Sequence, residues 1–170
     1  KCAICLGHSL SALREWQPET LWNDLQKAVA AAVADESAQE SIASTMVVAL
    51  RSRETLRRQI QADDLNKLLM WLSTAVATSS VIVRDIVCML GILCSQEPHP
   101  AQVNERVCQA LLKCGESQSA MVLSEVLNSL MDIYGDDECH PNVFDSLNVL
   151  GFFQTTLPQL KKRIAVEGRT

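Results

Sequence analysis

The sequence predicts an all-α fold in which pairs of amphipathic helices repeat along the chain. Aromatic residues make up only 4% of the 170 residues, whereas leucine, valine and alanine are plentiful, and this composition favours helices packed on helices. Apolar residues recur at spacings of three and four, and no segment shows the alternation typical of a strand. The starts of the predicted helices also recur about every 40 residues.

Prolines and polar capping residues mark the starts of the predicted helices. Pro18 is well placed in the first turn of a helix that ends near residue 34. Ser37 and Glu40 have the Ser-x-x-Glu spacing of a capping box, which predicts the start of the second helix. Asp63 and Asp64 then open a further helix, because acidic residues are favourable in a first turn.

The C-terminal end is predicted to contain two more helices. Pro141 begins the first of them, which runs through Leu150. The second is short, begins near residues 157–158 and ends around residue 166.

The most apolar segment of the chain runs from Ser79 to Cys94. On a helix, Arg84, Asp85 and Ser95 leave only a narrow polar strip, so the helix must be covered on several sides. A membrane span needs about 20 uninterrupted apolar residues, and the charges at 84 and 85 interrupt this run. We therefore predict that it is the central helix of a helical stack and expect no membrane association.

The repeat spacing is the strongest signal for architecture. A period of about 40 residues with two helices per unit is typical of HEAT and armadillo arrays. Positions 81–93 also match positions 121–133 in residue type at an offset of 40, and a plain antiparallel bundle would not need a fixed period. We predict a right-handed α-solenoid of HEAT- or armadillo-like helical pairs. A single array covers 1–170, as a segment of a longer chain, with approximate repeats at 18–51, 62–96, 100–135 and 140–167.

Composition and motifs favour protein binding over catalysis. The net charge of −5 argues against nonspecific nucleic-acid binding and suits basic protein partners, although acidic proteins also use charge for solubility. No histidine lies in a nucleophile motif, and no phosphate loop or dinucleotide fingerprint is present. Some HEAT-like arrays are base-excision enzymes, but these need aromatic side chains on a basic face, whereas Trp16, Trp22 and Trp71 are better explained as core. We predict no enzymatic activity and no cofactor.

The seven cysteines indicate reduced core residues rather than disulfides. Their number is odd and most lie in apolar helical runs, which favours the cytosol or nucleus. Cys2 and Cys5 form a Cys-x-x-Cys pair with His8 nearby, and Cys139–His140 is the other close pair. Zinc needs four ligands, and these groups are far apart in an array, so we interpret the first pair as a chance pattern and predict no metal.

Charged clusters are the remaining candidates for binding. Two basic clusters are interpreted as solvated helix ends, and they comprise Arg51, Arg53, Arg57 and Arg58, and Lys161, Lys162 and Arg163. An acidic set combines one helix face with the loop that follows, and so could meet a basic ligand, although ordinary surface charge explains it as well. That set comprises Glu125, Asp132, Asp136, Asp137 and Glu138.

One family resemblance adds to this interpretation. The segment 124–137, SEVLNSLMDIYGDD, resembles the penultimate repeat of the family of HEAT repeat-containing protein 3 and fungal symportin. The segment 157–169, which contains LPQLKKRI and EGR, resembles the last helix of that family. The match covers about 50 residues, and neither segment is a catalytic motif.

The resemblance implies a non-enzymatic carrier or chaperone. Family members escort two large-subunit ribosomal proteins of the 5S particle in nuclear import and ribosome biogenesis, and they reach an import receptor through N-terminal elements, which we expect to lie outside this segment. The chain would then be the C-terminal HEAT part, a monomer found in cytoplasm and nucleus, with no direct nucleic-acid binding. The predicted partner-binding residues are Glu125, Asn128, Asp132, Asp136 and Asp137. The alternative is a general HEAT or armadillo scaffold, or a transport-receptor segment, with other protein partners.

Overall fold

The computed structural model describes residues 18–96, 99–116, 119–135 and 147–167. In these ranges all regular structure is helical, which agrees with the predicted all-α class. The helices are α1 (Pro18–Ala31), α2 (Glu36–Ser52), α3 (Glu54–Arg57), α4 (Ala62–Ala75), α5 (Ser80–Gln96), α6 (Ala101–Cys114), α7 (Ala120–Gly135) and α8 (Val149–Glu167). None of the described helices is long and apolar enough to cross a membrane.

The chain divides into two compact units, one ending at Ile60 and the other beginning at Gln61. The prediction of a single array over 1–170 concerns how these units are arranged, and it stays a prediction. In the first unit, α1 packs on α2 and α3 and buries Leu21, Leu25 and Leu50.

The second helix begins differently from its prediction. Asp35 is the N-cap, and its Oδ1 accepts a hydrogen bond of 3.0 Å from the backbone N–H of Ala38. The capping box predicted at Ser37 is therefore wrong, because the helix already starts at Glu36 and Ser37 lies inside its first turn. Asp35, two residues earlier, satisfies the orphan N–H of Ala38 at the observed start of the helix.

The second unit contains two helical pairs with a regular spacing. The first helices of the pairs begin at Ala62 and Ala101, 39 residues apart, and the second helices begin at Ser80 and Ala120, 40 residues apart. Asn66 on α4 accepts a hydrogen bond of 2.8 Å from Arg106 on α6, its neighbour 40 positions later. The predicted period is thus present in the described helices of this unit.

Helix α5 is the core of the second unit, as its composition predicted. Between Ile82 and Cys94 every residue except Arg84 is buried. Its most extensive packing is on α7, and it also contacts α4 and α6. Burial on several sides explains why this segment is apolar nearly all round.

A glycine sets the distance between α5 and α7. A Cβ at Gly91 would lie 2.5 Å from Ser129 Oγ and 3.0 Å from Ser129 Cα, so only glycine fits without a shift of the helices. At the same crossing Ser129 Oγ donates a hydrogen bond of 3.2 Å to the carbonyl oxygen of Val87. The crossing therefore combines a close backbone approach with a buried hydrogen bond.

The C-terminal helix differs from the two predicted short ones. A single helix, α8, runs from Val149 to Glu167 with Pro158 in its interior, so the predicted start near residues 157–158 is wrong. Its N-terminus is fixed by Asn148, which has a φ of 50° and whose Oδ1 accepts a hydrogen bond of 3.3 Å from Gly151 N. The predicted C-terminal end of the preceding helix, at Leu150, is also wrong, because Leu150 lies in the first turn of α8.

Tertiary packing accounts for the continuation of α8 past its proline. Pro158 cannot donate to the carbonyl of Gln154, but both residues are exposed, so water can satisfy that oxygen. Val149, Phe152 and Thr156 hold the preceding turns against the unit, with Val149 and Thr156 buried. Helix α8 packs mainly on α7.

Candidate protein-binding face

The predicted contact residues on α7 share one accessible face. Glu125, Asn128 and Asp132 are spaced by three and four residues, which brings them to the same side of a helix. Glu125 is half-buried, while Asn128 and Asp132 are exposed. The structure therefore brings three of the five predicted residues together, and Asp136 and Asp137 lie outside the described residues.

The opposite side of α7 fixes this face in place. Its apolar residues are buried against α5 and its neighbours, and they comprise Val122, Leu123, Val126, Leu127, Leu130 and Ile133. A face carried by a helix packed in this way is rigid, which lowers the entropy cost of binding a partner.

Two methionines give the face an apolar component that sequence reasoning missed. Met131 is 60% exposed and precedes Asp132, while Met121 lies one turn before Glu125 and is half-buried. Met121 is on the same side as Glu125, whereas Met131 lies one turn after Asn128, at the edge of the face. Methionine adapts its shape to varied partners, so both side chains can add apolar contact to the face. The signal in the sequence was the spacing of four residues from Met121 to Glu125 and of three from Asn128 to Met131.

An ion pair on α5 lies beside the start of this face. Arg84 Nε donates a hydrogen bond of 2.7 Å to Asp85 Oδ1, and Arg84 Nη1 lies 3.4 Å from Met121 Sδ. Asp85 is only 3% exposed, although the repeat alignment places it at the position of the accessible Glu125. The second helices of the two pairs thus differ, and only α7 presents accessible carboxylates.

A cleft that the sequence did not predict lies between α4 and α6. It has a volume of about 520 Å³ and a mostly apolar lining that includes Leu72, Val76, Val83, Lys113 and Cys114. Burial raises the pKa of the Cys114 thiol to about 11, against a smaller lowering by Lys113. This thiol is therefore protonated at neutral pH and is a poor nucleophile.

The basic residues after α2 serve local structure. Arg57 Nη1 donates a hydrogen bond of 2.6 Å to the carbonyl oxygen of Leu50, in the last turns of α2. Arg58 forms an ion pair with Glu54 one turn earlier. These contacts agree with the interpretation of the cluster as a helix end.

The structure describes four of the seven cysteines and two of the three tryptophans that were predicted to lie in the core. Cys88, Cys94, Cys108 and Cys114 are buried thiols, as predicted for core residues. Trp22 is buried and Trp71 is half-buried, whereas Trp16 lies outside the described residues. Both predicted metal-like groups, Cys2–His8 and Cys139–His140, also lie outside them. Within the described ranges no three His, Cys, Asp or Glu side chains are grouped to hold a metal ion.

These features define a class of protein. The chain is a helical-repeat scaffold of the α-solenoid class. It has paired helices with a 39- to 40-residue spacing, a central buried helix and a rigid accessible helix face.

A comparison with protein families then gives the particular family. The family described as "SYO1-like, TPR repeats" matches residues 4–170, so the chain belongs to the SYO1-like repeat family. This result agrees with the symportin resemblance of residues 119–169. Neither a curated protein nor a solved structure gives a significant match. The helix spacing of 39 and 40 residues exceeds the 34 of standard TPR units and lies near the HEAT and armadillo range.

Proposed function

We propose that this repeat scaffold is a non-enzymatic carrier that binds basic protein cargo through the accessible face of α7. Large-subunit ribosomal proteins of the 5S particle, bound for the nucleus, are the cargo that the symportin resemblance implies. Such proteins are basic, and a carrier with complementary charge masks them before they meet ribosomal RNA. The acidic net charge of −5 supports this pairing.

The observation that carries the proposal is the arrangement of Glu125, Asn128 and Asp132. Residues seven positions apart on a helix are about 10 Å apart along its axis. Lysine or arginine side chains three residues apart in a polyproline II segment lie on the same side and are about 9 Å apart. The two carboxylates can therefore pair with two such basic side chains of a cargo segment in this conformation, while the Asn128 amide offers a donor and an acceptor to its backbone.

The exposed methionine supports the same partner chemistry. Lysine and arginine keep their charged ends in water while their methylene stems cover apolar surface. Met131 lies one turn after Asn128 at the edge of the face, so a basic side chain that approaches the face can cover the exposed methionine with its stem. The face therefore favours long basic side chains over small or acidic ones.

A charge-reversal experiment tests this face. The variant Glu125→Lys/Asp132→Lys is expected to lose at least about tenfold in affinity for the ribosomal cargo at moderate salt, since two attractive contacts become repulsive. The matched control Glu105→Lys/Glu116→Lys changes the net charge equally, but on α6 and the turn that follows it, and it should bind nearly as well as the parent.

Equal binding by the two double variants would show that only net charge matters and would remove α7 from the proposal. Copurification from cells separates the cargo classes. Recovery of ribosomal proteins supports the carrier function, whereas recovery of other partners with the same dependence on Glu125 and Asp132 supports a general scaffold or transport-receptor segment.

A further inference from the structure

Helix α8 carries an apolar stripe that lies beside its packing contacts and is largely exposed. The stripe comprises Leu150, Phe153, Leu157, Leu160 and Ile164, with alternating spacings of three and four residues. Leu150, Leu157 and Ile164 are 68%, 45% and 56% exposed, and the other two are half-buried. This spacing is that of the seam of a two-stranded coiled coil, continued over two heptads.

The inner side of α8 is already occupied. Val149 and Thr156 are buried, and the Phe152 ring lies directly over Gly115, at a distance that no Cβ there would permit. The Phe153 ring packs edge-on against Phe152, with 6.4 Å between the ring centroids and an interplanar angle of 70°. The stripe is therefore held in a fixed orientation by the anchored side and is not itself part of the core.

The charges beside the stripe are basic, unlike the chain as a whole. Lys161, Lys162 and Arg163 follow Leu160, and α8 contains three basic residues and one acidic residue in a chain of net charge −5. In the heptad register, Lys161 and Arg163 occupy the two positions that flank the seam. Lys161 is exposed, and an acidic residue of a partner helix would pair with it there.

We propose that this stripe docks an amphipathic helix of a partner protein whose own apolar stripe is flanked by acidic residues. A second copy of α8 fits less well, because its flanks are also basic and supply no opposite charge. The surface and the partner charge both differ from those of the cargo face on α7, so this inference does not depend on the proposed function.

The size of the stripe sets the expected affinity. From Leu150 to Ile164 it is about 21 Å long, and a single helix pair of this length lies below roughly 1,200 Å² of buried area, in the range of weak and transient interfaces. We expect a dissociation constant on the order of 10 μM that rises with salt, since part of the interaction is electrostatic.

The experiment uses the whole chain and two labelled peptides of about 18 residues. Both have leucine at spacings of three and four, and they differ only at the flanking positions, with glutamate in one and glutamine in the other. Fluorescence anisotropy should show at least about fivefold tighter binding of the glutamate peptide at low salt. Leu157→Gln should weaken its binding at least about tenfold, since one fully buried leucine contributes about that factor or more.

Two further variants test whether peptide binding and its charge preference depend on the α8 stripe. Met70→Gln, at an exposed position of α4, is the matched apolar-to-polar control and should bind both peptides as the parent does. Lys161→Glu, at the exposed position that flanks the seam, should remove the preference for the glutamate peptide while leaving binding of the glutamine peptide. Circular dichroism checks that Leu157→Gln keeps the helix content of the parent.

Several results would overturn the proposal. Equal affinity for the two peptides, or unchanged binding by a folded Leu157→Gln variant, would refute a docking site with this charge preference. A stripe-dependent dimer in sedimentation would assign the face to a second copy. Stripe-dependent binding to phosphatidylserine vesicles without peptide binding would assign it to a membrane surface.

Discussion

Replacement of Gly91 by alanine tests the close approach of α5 and α7 directly. The new Cβ would lie 2.5 Å from Ser129 Oγ, 2.6 Å from Ser129 Cβ and 3.0 Å from Ser129 Cα. The last atom belongs to the backbone, so rotation of a side chain cannot relieve the clash and the helices must move apart.

The expected change in the free energy of unfolding combines two destabilising contributions and one stabilising contribution. Overpacking a tight interior costs about 1–3 kcal/mol, and separation of the helices weakens the hydrogen bond from Ser129 to Val87, worth about 1 kcal/mol. Alanine gains about 1 kcal/mol over glycine in intrinsic helix propensity. We expect Gly91→Ala to lower the free energy of unfolding by about 2 kcal/mol in total.

Urea denaturation measures this change as a lower midpoint at unchanged slope. Ser129→Gly removes the two closest atoms, so the double variant Gly91→Ala/Ser129→Gly should be more stable than the sum of the single effects predicts. If Gly91→Ala were instead as stable as the parent, or more stable by the helix propensity of alanine, the helices would not approach as closely as described.

Three further changes test other parts of the fold. Leu90→Ala should lower the free energy of unfolding by about 2–5 kcal/mol, because Leu90 is fully buried on α5, and a thermal melt without a loss would contradict its position. Burial raises the pKa of Cys114 to about 11 from an ordinary value of 9.0, so between these pH values the folded state keeps the thiol proton and the unfolded state loses it. The free energy of unfolding should therefore fall between pH 9 and 11, by at most about 1.4 kcal/mol per pH unit. Cys114→Ala should lose that part of the pH dependence. Asn148→Ala should cost about 1–2 kcal/mol, because it removes an N-cap at a positive φ, whereas Asn148→Gly should be nearly as stable as the parent in the same melt.

Hydrophobic periodicity predicted most of the fold. The starts of α4 and α6 lie within two residues of their predicted positions, and the burial of α5 follows from its composition. The shared face of Glu125, Asn128 and Asp132 also follows from helical geometry alone, because it needs only a spacing of three and four residues.

Features that depend on tertiary contacts could not be predicted in this way. A proline is ordinarily a helix boundary, whereas α8 continues through Pro158 because its preceding turns are packed against the unit. The burial of Asp85, at a position equivalent to the accessible Glu125, depends on which helix is covered by its neighbours. The cleft beside Cys114 is formed by residues of four helices, so no local sequence pattern predicts it.

The hydrogen bond from Arg106 to Asn66 has a consequence for changes in chain length. It joins positions 40 residues apart on neighbouring first helices, much as Gly91 and Ser129 meet on the second ones. An insertion or deletion within one of these helices would turn the later side chains of that helix by about 100° and separate the pair of partners to which it contributes. Added or removed residues between Val76 and Ser79, or after Gly115, would leave the helices in register, so variation in length is tolerated only in the connecting segments.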